Sequence, residues 1–427
     1  MSQIKRIFAR EILDSRGCPT VEVDVFIDDQ RFARAAAPSG ASTGMYEAHE
    51  LRDGDKSKFF GKGVSKAVNN VNAIIAPALI GRDCRNQKEI DSVLLELDGT
   101  KTCSNLGANA IVATSMAILK AASLAEGKSL FLHINPNAKT MPVPMINILN
   151  GGVHADNLLD IQEFMIMPTG AKNIHEAVRM GSEIFTSLKA ILISKNLGSS
   201  VGDEGGFAPN LKYDRDALEL ILQAIETAGY KPGGDVMLAL DVAATEMYSD
   251  GEYQFKGIGK SLKANQLVNY YQDLARDYPI YSIEDGIAEA DYDGWQQMTK
   301  ALGDKIQIVG DDVFVTNKAI LSQCIDKNIA NAVLIKPNQV GTISSTFDTI
   351  NLAHSKQYEC VMSHRSGETE DVTIAHLAVA MGCSQIKIGS VCRVDRTAKY
   401  NELLRISEEL GENAQYSQLK RFSERAL

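Results

Sequence analysis

The run VMLALD, residues 236–241, is the first of several short apolar segments that each end at a charged side chain. It ends at Asp241, and the later members are PIYSIE ending at Glu284, IQIVGD ending at Asp311, NAVLIK ending at Lys336 and SQIK ending at Lys387. Segments of helical period separate these runs, and a (β/α)8 barrel uses roughly 30 residues for one strand and its helix. All strands of such a barrel point their carboxyl ends into one mouth, so the series predicts three carboxylates and two lysines gathered there.

Charges of both signs in one small volume require a bound ion or an anionic ligand. Carboxylates at the ends of three strands suit Mg2+, although a single strand-end acid is more often a helix cap or an ion-pair partner. A lysine among other cations can act as a base, but it can equally well only neutralise the acids. Another apolar run, CVM, leads into Ser363-His364-Arg365-Ser366, which suits either a phosphate or carboxylate site or a solvated loop.

Two further stretches carry acids and a histidine. Gly202-Asp203-Glu204-Gly205-Gly206 is either a ligand-binding turn or a plain one, and His154 and Glu163 in NGGVHADNLLDIQEF have the same ambiguity. Asp285 and Asp312 directly follow two of the strand ends. We expect them to face away from the mouth and to be structural, because side chains alternate along a strand.

The length of 427 residues predicts two domains, an α+β domain at 1–135 and a β/α barrel domain at 140–427, with the Pro-rich stretch MPVPM near the boundary. VEVDVFID alternates apolar and acidic residues, which predicts a half-exposed strand. Helices are predicted at 65–79, 87–97, 107–125, 214–227, 263–276, 317–326, 342–355, 371–381 and 396–410.

The charge balance and the cysteines limit the function classes. A net charge of -10 without a basic cluster argues against a general nucleic-acid-binding protein. The seven cysteines are scattered and form no CxxC pair, which suits reduced thiols in the cytoplasm. No signal-peptide pattern is present at the N-terminus. The apolar stretch 106–125 contains Asn109 and Lys120, which favours a buried helix over a membrane span.

At these residues the chain closely resembles the bacterial-type enolases, over nearly its whole length. The matching stretches include EILDSRG, PSGASTG, NGGVHADN, VGDEGGFAPN, LALDVAATE, SIEDG, LIKPNQVGT, SHRSGETED and AKYNELLRI. The resemblance implies the reversible dehydration of 2-phospho-D-glycerate to phosphoenolpyruvate in glycolysis and gluconeogenesis. It also implies an α+β cap domain on an irregular (β/α)8 barrel whose second strand runs antiparallel.

The resemblance further implies a role for each site residue and two Mg2+ ions. Asp241, Glu284 and Asp311 would bind the first ion, and Ser42 would help bind the second, which arrives with the substrate when the loop at 39–44 closes. Lys336 would be the base, and Glu204, assisted by Glu163, would protonate the departing hydroxyl group. The residues expected to contact substrate or line the site are His154, Gln162, Lys336, His364, Arg365, Ser366 and Lys387.

A homodimer, which can assemble further to an octamer, is also implied, together with secondary roles in an RNA-degrading complex or in host-protein binding. We expect a cytoplasmic location, with signal-less secretion and surface display as an alternative. The chain departs from the family pattern at Cys18 (usually Asn), at Cys392 to Asp395 in a motif that usually reads A-R-S-E-R, and at Ser417-Gln418 (usually A-G). A sugar-acid dehydratase or racemase, and a paralogue kept as a scaffold or surface-binding protein, are the alternative functions.

Overall fold

A three-stranded antiparallel sheet begins the chain in a computed structural model that describes residues 2–41 and 44–419. Its strands, in spatial order, are Arg6–Leu13, Pro19–Phe26 and Phe32–Ala36. Helix Ala108–Glu126 packs against this sheet. The other helices of the cap are a helical stretch built from Ser65–Asn70, Val71–Ile75 and Ala76–Leu79, then Gln87–Asp98 and Leu130–Ile134.

The second strand of the cap sheet is more buried than its alternating pattern predicts. Asp24, expected on an exposed face, is only 2% exposed. Its carboxylate accepts hydrogen bonds from Arg34 and forms an ion pair with Arg10. The predicted alternation holds at the other positions, since Glu22, Phe26 and Asp28 are partly exposed; Asp24 alone departs from it, because arginines on both neighbouring strands cover it.

Helix Ala108–Glu126 lies in the core. By length and composition it is the one helix in the described part of the chain that could cross a membrane, but 83% of its most apolar window is buried inside the protein. Its polar residues have partners: Asn109 exchanges hydrogen bonds with the backbone of Leu51, and Lys120 pairs with Asp371 at 2.7 Å. The predicted buried helix is confirmed.

The remainder of the chain closes into an eight-stranded barrel surrounded by helices. The barrel strands in chain order are Val143–Asn150, Glu163–Met167, Met237–Asp241, Ile280–Glu284, Gln307–Gly310, Ala332–Ile335, Glu359–Ser363 and Gln385–Lys387. The helices around them are Ile174–Ser194, Asp214–Thr227, Ala264–Asp277, Tyr292–Leu302, Lys318–Asp326, Ile343–Ser355, Thr373–Ala380 and Val394–Leu410. Short strands at Tyr248–Ser249, Glu252–Phe255 and Lys260–Leu262 form a small sheet beside the barrel.

The second barrel strand, Glu163–Met167, is antiparallel to both of its neighbours, as the resemblance implies. Only the short 3-10 helix Gly152–His154 separates it from the first strand, whereas two α-helices follow it before the third. Because of this reversal, its first residue lies at the end of the barrel where the other strands finish. The irregular barrel with one antiparallel strand is confirmed.

All nine predicted helical segments are present within two residues of their expected bounds. Helices Ile174–Ser194 and Tyr292–Leu302 lie outside the predicted segments. The second of these contains a glycine, which is a poor helix former, although Trp295, Met298 and Leu302 are buried at helical spacing. The side chain of Asp291 nevertheless caps it by accepting a hydrogen bond from the backbone of Gly294.

Candidate active site

The charged strand ends converge at one mouth, as the spacing predicts. Asp241, Glu284 and Lys387 are the last residues of their strands, and Asp311 and Lys336 each follow their strand by one residue. The carboxylate side chains and Lys387 are almost fully buried, and the side chain of Lys336 is 13% exposed. Such burial of charges is stable only when each charge has a partner.

Lys387 contacts three carboxylates at once. Its Nζ lies 2.7 Å from Asp241, 2.9 Å from Glu284 and 3.2 Å from Glu163. Burial alone would lower the pKa of Lys387, but the three acids hold that pKa well above its ordinary value. Lys387 is therefore a permanent positive charge at the bottom of the mouth.

Lys336 pairs with Asp311, whose other carboxylate oxygen accepts a hydrogen bond from Gln339 at 2.9 Å. Burial and the nearby charge of Arg365 favour the neutral form of Lys336, but Asp311 outweighs them and raises the pKa of the lysine. Lys336 therefore carries its proton in this arrangement. It can act as a base only when the charge of Asp311 is engaged elsewhere.

The structure brings two of the three predicted metal ligands together and leaves the third slightly apart. Asp241 and Glu284 share the ammonium group of Lys387, whereas Asp311 is turned towards Lys336. In the described part of the chain, two groups of three side chains have candidate ligand atoms within 4.8 Å of one another. One group is His154, Glu163 and Glu204, and the other is Asp285, Asp311 and Asp312. The predicted trio of Asp241, Glu284 and Asp311 does not meet this distance.

The donor chemistry of the trio nevertheless fits a divalent cation. One oxygen of Glu284, Oε2, is buried and accepts no hydrogen bond from any residue that the structure describes. Burial raises the pKa of Glu284 well above its ordinary value, and the neighbouring charge of Asp241 raises it further. A buried carboxylate that lacks sufficient positive charge around it is a suitable ligand for a hard cation.

Asp285 and Asp312 do not face away from the mouth, so that expectation was wrong. The strand has already ended at Gly310, and strand alternation no longer applies to Asp311 and Asp312, whose carboxylates converge with that of Asp285. The expected structural role of Asp285 agrees with its contacts, because its carboxylate accepts the backbone N–H groups of Asp311 and Asp312 at 2.8 and 3.1 Å. Burial and the charge of Asp311 raise the pKa of Asp312 to about 8.

A second group of titratable side chains lies across the mouth. One oxygen of Glu204 is 3.2 Å from Nδ2 of Asn147 and 3.5 Å from Nε2 of His364, and His154 Nδ1 lies 3.9 Å from Glu163. Burial and the charge of Glu204 raise the pKa of Glu163. Burial would also raise the pKa of Glu204, but the N–H of His364 that faces it, together with His154 and the charge of Arg396, holds that pKa well below its ordinary value. Two neighbouring carboxyl groups with separated pKa values are typical of acid–base sites.

His364 is neutral, because burial lowers its pKa to about 3. An N–H group of Arg396 donates to Nδ1 of His364, which places the ring proton on Nε2, facing Glu204. The same arginine donates to the backbone carbonyls of Arg365 and Ser366, both at 2.6 Å, and is fully buried. Sequence analysis missed this role of Arg396, since helical position alone does not distinguish a buried arginine from an exposed one.

The predicted phosphate-binding residues are held by the cap domain. Arg365 forms a bidentate ion pair with Glu47 at 2.9 and 3.2 Å, and Oγ of Ser366 accepts the backbone N–H of Ala41 at 2.7 Å. Ser39 and Gly367 exchange two backbone hydrogen bonds. The predicted second-metal residue, Ser42, lies outside the described residues. Gln162 lines the mouth, and its buried Oε1 has no hydrogen-bond partner among the described residues.

Two of the three departures from the family pattern, at Cys18 and at Cys392 to Asp395, lie behind these groups, whereas the backbone N–H of Ser417 donates to Met141 before the first barrel strand. Cys18 closes a turn in which its backbone N–H donates to Asp14. Arg393 has a φ of 70° and donates to the backbone carbonyl of Ser15, and Asp395 pairs with Arg396 at 2.7 Å. All seven cysteines are free of disulfides.

Comparison with known families gives two adjoining matches. Residues 4–134 match the model described as the enolase N-terminal domain, and residues 138–425 match the enolase C-terminal TIM barrel domain. This chain belongs to the enolase family. Membership identifies an enolase-type lyase of the hydro-lyase class, in a family associated with divalent metal ions, and the buried acids described above are consistent with such use.

Proposed function

We propose that the protein catalyses the Mg2+-dependent, reversible dehydration of 2-phospho-D-glycerate to phosphoenolpyruvate. The observation that carries the proposal is that Lys336 lies on the opposite side of the mouth from Glu163 and Glu204. The strands that end next to Lys336 and begin at Glu163 are four places apart in both directions around the eight-stranded ring. A substrate in the mouth would thus have an amine on one side and carboxyl groups on the other.

The first step would be removal of the proton next to the substrate carboxylate by Lys336. Burial and the charges of Arg365 and Lys387 favour the neutral amine once Asp311 no longer pairs with it. Lys387 would hold the substrate carboxylate. Asp241, Glu284 and Asp311 would bind the first metal ion and Ser42 the second, and the ions would supply Lewis-acid stabilisation of the negative charge that develops on that carboxylate.

The second step would be loss of hydroxide, assisted by a proton from the carboxyl pair. Glu204 would deliver the proton, and Glu163, whose pKa is raised, would hold it at neutral pH. Arg365 and Ser366 suit the phosphate, since an arginine fork binds phosphate oxygens in pairs. Gln162, His154 and His364 would complete the walls around the substrate, and closure of the loop at 39–44 would exclude water.

The proposal extends to a cytoplasmic homodimer. Its support is a groove of about 520 Å3 between the cap sheet and the barrel, lined mostly by polar and charged side chains but with the apolar side chains of Leu13 and Val394 at its surface. These two side chains are 59% and 67% exposed. Sedimentation equilibrium would measure the mass, and a monomer at micromolar concentration would contradict this part of the proposal. Octamer formation, surface display, an RNA-degrading complex and host-protein binding stay predictions.

The decisive experiment follows phosphoenolpyruvate by its ultraviolet absorbance, with the full-length protein in the presence of Mg2+ or EDTA. We expect turnover only with Mg2+. Folded protein that shows no turnover with Mg2+ would reject the proposal and favour the scaffold alternative. Turnover of a non-phosphorylated sugar acid at a higher rate would instead favour the dehydratase alternative.

A further inference from the structure

Two buried carboxylates outside the mouth bind the chain segments next to His154, Gln162 and Glu163. Asp214, the first residue of helix Asp214–Thr227, is 4% exposed, and Asp160, on the loop between His154 and Gln162, is 7% exposed. Neither is among the residues that line the mouth. The catalytic roles proposed above do not account for them.

Asp214 binds the loop directly. Its Oδ1 accepts the backbone N–H groups of Asp160 at 3.1 Å and Ile161 at 3.2 Å, and its Oδ2 accepts the hydroxyl of Tyr270 at 2.9 Å. These two amides immediately precede Gln162 and Glu163. One carboxylate thus fixes the backbone at the point where the loop becomes a barrel strand.

Asp160 extends the connection to a third segment. Its carboxylate accepts the backbone N–H groups of Lys256 at 2.6 Å and Gly257 at 3.1 Å. Gly257 fits so closely that a Cβ would lie 2.6 Å from the carbonyl oxygen of Lys212 and 2.7 Å from that of Leu158. The loop, the segment before helix Asp214–Thr227 and the turn at Gly257 are therefore packed backbone to backbone.

Buried apolar side chains anchor only the end of the loop, where Leu159 is 3% exposed and Ile161 is fully buried, whereas the larger apolar side chains before them are exposed. Val153 and Leu158 are 58% and 48% exposed. Polar contacts replace them: Asn157 donates to the carbonyls of Asn150 and Pro209, both at 3.0 Å. The part of the loop before Leu159 buries little apolar surface, so its conformation depends on such hydrogen bonds.

We infer that Asp214 is a positioning residue, which holds the loop at 151–162 so that His154, Gln162 and Glu163 stand beside Glu204. The inference rests on the proposed dehydration for its kinetic consequence. Lys336 follows a strand on the other side of the barrel, outside the segments that Asp214 connects. Loosening the loop should therefore impair loss of hydroxide more than removal of the α-proton.

The kinetic test compares Asp214→Ala with Asp214→Asn. We expect Asp214→Ala to lower kcat for dehydration about tenfold or more, because small misplacement of reacting groups is costly, and to change α-proton exchange less than about threefold. Asp214→Asn should retain most activity, since its amide oxygen can still accept both N–H groups. Asp216→Ala, an exposed acid in the same helical turn, is the control and should behave like wild type. Equal loss of both steps in Asp214→Ala, or equal damage by Asn and Ala, would overturn the inference.

Hydrogen–deuterium exchange tests the same contact without any substrate. Peptides covering 155–163 should exchange faster in Asp214→Ala than in wild type, Asp214→Asn or Asp216→Ala. If Asp214→Ala does not fold, Tyr270→Phe, which removes one hydrogen bond to Asp214, should give a smaller increase in the same peptides. Unchanged exchange in the folded variants contradicts the inference. This outcome is independent of turnover, so failure of the proposed function would be recognised separately by an inactive wild type.

Discussion

Glu163 is the direct register partner of Asp241 on the antiparallel second and third barrel strands. The reversed strand thereby places Glu163, one of the two proposed acid groups, next to Asp241, a proposed metal ligand. Lys387 contacts both of these carboxylates. The ammonium group of Lys387 therefore pairs with carboxylates from both the proposed metal site and the proposed acid group. Its removal would leave several buried carboxylates without a compensating charge.

Lys387→Met should accordingly destabilise the protein strongly at neutral pH. Removing one partner of a buried ion pair typically costs about 3–5 kcal/mol. The loss should become smaller as the pH falls, because Glu163 and Glu284 already have raised pKa values and can be protonated instead. Urea unfolding in EDTA at pH 8 and pH 5 measures both effects, with Lys318→Met, an exposed lysine, as the control. A pH-independent loss would contradict the explanation.

Lys336→Ala and Glu204→Gln should separate the two chemical steps. Lys336→Ala should abolish exchange of the substrate α-proton with solvent deuterium, since it removes the proposed base. Glu204→Gln should reduce dehydration by roughly 100-fold or more and leave exchange measurable, because general acid catalysis contributes about 10²–10⁴-fold. Proton NMR follows exchange, and absorbance follows product. Complete loss of exchange in Glu204→Gln would contradict the division of roles.

Arg396 should be essential for the arrangement of the mouth. Arg396→Met leaves the acceptors at His364, Arg365 and Ser366 without their donor, and we expect a loss of stability of about 3 kcal/mol together with weaker substrate binding. Arg405→Met, in the same helix but with its side chain 65% exposed, should be nearly neutral. Urea unfolding and KM provide the measurements. A stable Arg396→Met variant with normal KM would show that these contacts are dispensable.

The sequence predicted the barrel and most of the mouth because strand ends depend on local pattern. Lys336 and Lys387 follow apolar runs of strand length, and the closed barrel then brings them together without further information. The partners of these groups were not predictable in this way. Glu47 reaches Arg365 from the cap domain, and Arg396 reaches His364 from a helix. Such contacts depend on how separate elements pack together, and the hydrophobic periodicity within one element does not specify this.

Asp214→Asn should stabilise the protein above pH 6. Burial and the charge of Asp160 raise the pKa of Asp214 from 3.8 to about 6. The folded state therefore binds this proton more tightly than the unfolded state, so stability increases as the pH falls from above 6 towards 4 and is lower at pH 8. Asparagine avoids the ionised form, and the gain at pH 8 should reach at most about 3 kcal/mol.

Urea unfolding at pH 5 and pH 8 measures this gain, with Asp216→Asn as the matched control in the same turn. The groups that face Asp214 are Asp160, Tyr270 and Tyr271, with Arg215 and Lys256 nearby, and all of them stay unchanged in the variant. A stability difference between wild type and Asp214→Asn that is equal at both pH values would show that Asp214 does not titrate in this range.

Gly257→Ala should displace the loop at 151–162. The added methyl group would meet the carbonyl oxygens of Lys212 and Leu158 at 2.6 and 2.7 Å, and backbone cannot move aside as a flexible side chain can. Overpacking of this kind costs about 1–3 kcal/mol. Gly198→Ala, where no atom lies within 4 Å of the new Cβ, is the control. Thermal unfolding should show the loss, and hydrogen–deuterium exchange should rise in the peptides around Leu158. Wild-type exchange in those peptides would show that the close fit at Gly257 does not determine the loop conformation.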